Sequence, residues 1–185
     1  MIEYWFDRFL FSPFVPAALL LTLIAAWPHG RSATDVLIGC VFLFPIVLLA
    51  LAQLRLWDDL ADRERDRRDH PERVLCDANP APFVVTAILL AGANLWLISV
   101  LGDAHDVLRF LALNVAVGAY YVLRPNRRTA TSDALLLVKY PALVLVLTPI
   151  TTEPAAIAIN VLATYTAAFA YELWHDPTGP LRTNS

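Results

Sequence analysis

The stretch Val36–Pro71 reads VLIGCVFLFPIVLLALAQLRLWDDLADRERDRRDHP. It changes character at Arg55. Residues 36–54 carry no charge, and the residues that follow interleave aspartates with arginines. About 20 apolar residues are needed to cross a bilayer as a helix. The stretch therefore predicts a membrane helix that emerges into a row of acids and bases.

The same pattern extends in both directions. Residues 9–28, 78–102 and 154–171 hold no charge, and residues 134–152 hold one, Lys139. Residues 110–123 form a shorter run, whose helix is expected to start near Ala104 with Arg109 reaching the interface along its aliphatic stem. None of these runs alternates as a barrel strand does, and backbone groups in lipid must pair within their own segment, so helices follow. Charged residues are 17% of the chain, against about 25% in soluble domains. The expectation is an all-α polytopic bundle of about six transmembrane helices in a lipid bilayer.

One domain spans residues 1–185. Residues 1–10, with Tyr4, Trp5, Phe6 and Phe9, read as an interfacial segment. Residues 58–77 read as an Asp/Arg-rich loop, and residues 175–185 as a short polar tail. The N-terminus lacks the basic region and small-residue cleavage site of a secretory signal. Cys40 lies in an apolar run and Cys76 in a polar loop, so neither a disulfide framework nor a cysteine metal site is expected. The net charge of −3 gives no basic field for nucleic acid. Arginines crowd the connections after the second and fourth runs (Arg55, Arg63, Arg65, Arg67, Arg68, Arg73; Arg124, Arg127, Arg128) and are sparse in the others. By the positive-inside rule those connections and both termini are cytoplasmic.

The chemistry lies in the row. Asp58, Asp62 and Asp66 step by four, and Asp59 and Asp69 sit three residues from neighbours in that series. On a continued helix all five share one face, where like charges repel by about 0.2–0.5 kcal/mol per pair. A divalent cation reverses that sign. Mg²⁺ takes oxygen ligands, typically one or two carboxylates with substrate phosphates and water, and arginine matches phosphate. The plainer alternative is a solvated ion-pair helix. A second acidic step, Glu172 and Asp176, ends the last run on the same expected side. Lys139, an ionisable group within a span, marks a functional position or snorkels to the interface.

The stretch Asp58-Asp59-x-x-Asp62-x-x-x-Asp66 resembles the first Asp-rich motif of the UbiA superfamily of intramembrane prenyltransferases. The segment Tyr120-Tyr121-x-x-Arg124 to Arg127-Arg128-Thr129 resembles the tyrosine and basic pair after that family's fourth helix. Glu172-x-x-x-Asp176 falls where its second acidic motif lies. The resemblance implies a UbiA-like bundle that lacks the family's last helices. It implies Mg²⁺ held by Asp58, Asp59, Asp62, Asp66, Glu172 and Asp176, with the first four as the catalytic set. It implies an isoprenyl diphosphate bound by Arg63, Arg67, Arg127, Arg128, Lys139 and Tyr121, with transfer of the prenyl group to an acceptor. The shorter length raises an alternative: a non-catalytic membrane subunit or scaffold, completed by a second copy or a partner subunit. The six-helix CDP-alcohol phosphotransferases need an Asp-Gly after their first acids, whereas Asp62 is followed by Arg63, so that class is set aside.

Overall fold

The computed structural model describes residues 2–6, 14–27, 32–124, 129–149, 151–175 and 181. The elements are α1 (Ile2–Trp5), α2 (Phe14–Ala26), α3 (Ala33–Asp69), α4 (Val74–Asp77), α5 (Ala81–Leu101), α6 (Ala104–Leu123), α7 (Ala130–Leu137), α8 (Lys139–Leu147) and α9 (Pro154–His175). There is no strand among the described residues. Among the described residues five segments are long and apolar enough to cross a membrane: Ala33–Asp69, Ala81–Leu101, Ala104–Leu123, Ala130–Leu147 and Pro154–Trp174. The sixth expected span is represented by the shorter α2.

Local signals set the helix ends. The Ser32 hydroxyl accepts the Asp35 N–H while the Asp35 carboxylate accepts the Ser32 N–H, so two otherwise unpaired donors at the start of α3 are satisfied together. Asp103 with Asp106 does the same for α6, and Thr129 with Ser132 for α7. The stretch 58–77, expected as a loop, is instead helical as far as Asp69. Acid–base pairs one turn apart hold this extension: Arg55–Asp59, Asp62–Arg65 and Glu64–Arg67. It stops at His70, because Pro71 excludes the helical conformation from the residue before it.

The break between α7 and α8 has a similar cause. Pro141 offers no N–H and crowds the carbonyl four residues earlier, that of Leu137. The chain tightens there, with the Val138 N–H donating to the Leu135 carbonyl at 3.1 Å. Lys139 is the first residue past the break.

Contacts between neighbours close a ring: α2 on α3, α3 on α5, α5 on α6, α6 on α8, α8 on α9, and α9 back on α2. The α8 segment also reaches α2 and α3. Its Leu143 and Val144 join Ala18, Ile46, Val47, Phe110 and Val117 in the central core. Close approach of α2 and α3 uses Gly39, where an added Cβ would stand 3.4 Å from the Ala26 Cβ.

The outward surface is apolar. Val115, Val122, Leu162 and Ile88 are exposed, while Gln53, Asn94, Thr22 and Thr164 are buried. A soluble protein rarely shows continuous apolar faces of this kind. In lipid they are the expected exterior, and polar side chains turn inward to find partners. The molecule is an integral, multi-pass membrane protein.

Candidate functional site

Asp58, Asp59, Asp62 and Asp66 lie within an arc of roughly 100° on α3, since each residue advances the helix by about 100°, and their partners divide them into two pairs. Asp58 and Asp62 turn toward α6 and α8. Asp58 accepts hydrogen bonds from the Tyr121 hydroxyl and from the Lys139 ammonium. Asp62 is paired with Arg124 and with Arg65. The Arg124 guanidinium lies 5.1 Å from the Tyr121 ring centroid, and the Lys139 ammonium 5.2 Å from that of Tyr140. These cation–π contacts add to the ion pairs.

Asp59 and Asp66 turn the other way. The Tyr4 hydroxyl donates to Asp59 at 2.8 Å, and Arg55 approaches the same carboxylate at 3.5 Å. Asp66 is bridged by Arg73 at 2.6 Å. Tyr4, expected at the membrane interface, is 2% exposed and packs edge-on against Phe83 with ring centroids 5.2 Å apart. It therefore ties the N-terminal segment to the row. Asp69 is exposed to solvent.

Burial separates these pairs from an ordinary solvated face. Asp58, Asp59, Asp66 and Lys139 are all buried, Lys139 at 4% exposure. Leaving charges there without partners would be strongly unfavourable, and each has one.

Two arginines assigned to phosphate by the resemblance stand elsewhere. Arg63 donates to the carbonyls of Leu75 at 2.9 Å, Cys76 at 3.3 Å and Ala78 at 2.8 Å. Arg67 donates to the Cys76 carbonyl at 3.0 Å and to Glu64 at 3.1 Å. Together they cap the end of α4, where the last carbonyls of a helix lack partners, and they pin the connection from α3 to α5. Cys76 is buried there, and that burial pushes its thiol above the usual range, which disfavours the thiolate.

Glu172 lies near the same end of the bundle: Tyr140 is within electrostatic reach of Lys139, Asp58, Arg55 and Glu172. Arg127, Arg128 and Asp176 lie outside the described residues. The set brought together is thus Asp58, Asp62, Tyr121, Arg124, Lys139 and Tyr140, with Arg55 and Glu172 close by.

Sequence reading assigned no site role to Arg55, Arg65, Arg73, Arg124 or Tyr140. Arg124 had a signal, since it directly follows the last turn of α6 below two tyrosines. Arg55 had one too, standing four residues before Asp59.

Among the described residues no three histidine, cysteine or acidic side chains converge as a metal site. A Mg²⁺ ion that bridges a diphosphate needs only one or two carboxylates from the protein. Asp58 and Asp62, one turn apart and each beside its own cation at the same end of the bundle, fit that smaller requirement.

Against protein-family models, curated proteins and solved structures alike, the chain finds no match.

Proposed function

We propose that this protein is a UbiA-like prenyltransferase that binds an isoprenyl diphosphate with Mg²⁺ at the cytoplasmic membrane face and passes the prenyl group to an acceptor. The observation that carries the reading is the convergence of Lys139 and Arg124 on Asp58 and Asp62 at one end of the bundle. Carboxylates and permanent cations in one partly desolvated site are what a metal–diphosphate headgroup requires.

In this reading Asp58 and Asp62 are the metal-holding carboxylates, and Mg²⁺ when bound supplies charge stabilisation of the departing diphosphate. Lys139 and Arg124 bind and orient its oxygens and stabilise the negative charge that grows as it leaves. Tyr121 orients Asp58. The tyrosine rings and the apolar walls below keep water from the allylic cation. Arg63 and Arg67 act at a distance, by fixing the connection that flanks the row.

The test is a thermal-shift titration of the purified protein with Mg²⁺ and geranylgeranyl diphosphate, beside Asp62→Ala. Ligand at about 100 times its Kd stabilises the folded state by about 2.7 kcal/mol. A stabilisation seen in the wild type and lost in the variant is expected. No response in either protein overturns the reading.

One observation favours the second reading, a non-catalytic membrane subunit. Asp58, Asp59, Asp62 and Asp66 are each already paired with a cation of the chain itself. Purification with a stoichiometric partner and no turnover would support that reading, and turnover by an isolated monomer would exclude it.

A further inference from the structure

Among the described residues Lys139 has one anionic partner, Asp58, and the two sit together in the interior. Arg124 is held by Asp62 in a half-buried pair, and Asp62 is shared with Arg65. A dication entering between these carboxylates alone would meet the Lys139 ammonium and leave it buried without a counter-charge. An anion drawing Lys139 away alone would strand Asp58 in the same manner. Each separate event is unfavourable, because an uncompensated buried charge is costly. If both ligands arrive, every charge keeps a partner.

We propose that Lys139 and Arg124 are exchangeable counter-ions: Asp58 and Asp62 hold them in the ligand-free protein, and they turn to the phosphates when the carboxylates take a divalent cation, so that metal and diphosphate bind only as a pair. The inference rests on the reading above and concerns how that site is loaded. Beside Lys139, between α6 and the α7–α8 break, lies an open apolar hollow of about 200 Å³ walled by Leu113, Val117, Tyr120 and Leu136. The pairing also accounts for the lack of three converging metal ligands among the described residues: each carboxylate is aimed at its own cation.

The experiment uses the full chain in detergent, with binding read by calorimetry and thermal shift. The probes are Mg²⁺ alone, geranylgeranyl diphosphate with EDTA, and both together. In the wild type either ligand alone binds weakly, and each raises the affinity of the other by the same factor, about 5–150-fold. In Lys139→Met, Asp58 loses the cation it is bonded to, so Mg²⁺ alone binds more tightly than in the wild type and the coupling factor falls toward one. Arg124→Met provides a second variant in which Asp62 keeps Arg65; its coupling falls part of the way. If Lys139→Met does not fold, the wild-type coupling factor and Arg124→Met still decide. Wild-type binding of Mg²⁺ alone as tight as with diphosphate overturns the exchange and leaves the prenyl transfer reading standing. No binding of the two together in the wild type overturns that reading and the exchange with it.

Discussion

The Lys139 ammonium and the Asp58 carboxylate form a buried ion pair that joins α8 to α3 across the bundle. Removing one member of such a pair leaves the other charged and unmatched, which costs about 3–5 kcal/mol. Lys139→Met is therefore expected to lose that much stability, and Asp58→Asn combined with Lys139→Met to regain most of it. Unfolding of the purified protein in graded SDS, run as a double-mutant cycle, measures the coupling. Additive losses would mean that the two groups do not act as a pair.

Arg63 and Arg124 are expected to separate cleanly. Arg63→Met removes the donors to three carbonyls of the connection, and an unsatisfied buried acceptor costs about 1–3 kcal/mol. Stability and hydrogen-exchange protection over residues 70–78 should fall, while affinity for Mg²⁺ with diphosphate stays close to wild type. Arg124→Met should do the reverse, with weaker ligand binding and an unchanged connection. A tenfold loss of affinity in Arg63→Met would place that arginine at the phosphate after all.

Much of this architecture was legible before the structure. The uncharged runs around 36–54 and 78–102 gave helices where α3 and α5 lie, because length and absence of charge suffice for a bilayer. The Asp row gave the end of the bundle at which charge gathers. What remained illegible was direction. Spacing places Asp58, Asp59, Asp62 and Asp66 on one face, yet packing sends Asp58 and Asp62 to α6 and α8, and Asp59 and Asp66 to Tyr4 and Arg73. Arg63 and Arg67 sit in the most basic stretch of the chain, and carbonyls of a short helix consume them. That helix, α4, is four residues long, too short for periodicity to announce. The break before Lys139 had its signal in Pro141, but only packing shows that it brings Lys139 to the level of Asp58.

The cap at the start of α6 carries a pH dependence. Hydrogen bonds from the Asp106 N–H, and then the His105 N–H, hold the Asp103 carboxyl below the usual carboxylate range. An unfolded aspartate titrates near about 3.9. Because the folded value is the lower of the two, the contribution is complete above the unfolded value and disappears as pH falls through the folded one. Asp103→Asn keeps a capping oxygen but no charge. Its thermal midpoint should fall less steeply with acid than that of the wild type over pH 5 to 2 (about one unit either side of the unfolded value and below). Parallel curves would show that the carboxyl is not coupled to folding.

Below the charged site, Gln53 links three helices through a buried amide cluster. It lies five residues before Asp58, about 7.5 Å further into the bundle at 1.5 Å per residue. Its side-chain N–H donates to the Asn114 oxygen, and its own oxygen accepts from Asn94 at 3.5 Å. The Asn94 oxygen is buried and has no partner. The two amides should therefore respond differently to removal. Gln53→Leu leaves both asparagines without it and is expected to cost about 1–2 kcal/mol, the upper part of the range for interhelical hydrogen bonds in membranes. Asn94→Leu gives up one long hydrogen bond and also removes an unsatisfied acceptor, whose burial is itself unfavourable. Its effect should lie near zero or stabilise. SDS unfolding of the two variants gives the comparison directly. A larger loss in Asn94→Leu than in Gln53→Leu would mean that the Asn94 oxygen has a partner in the membrane, and an ordered water bridging it would be the first to look for.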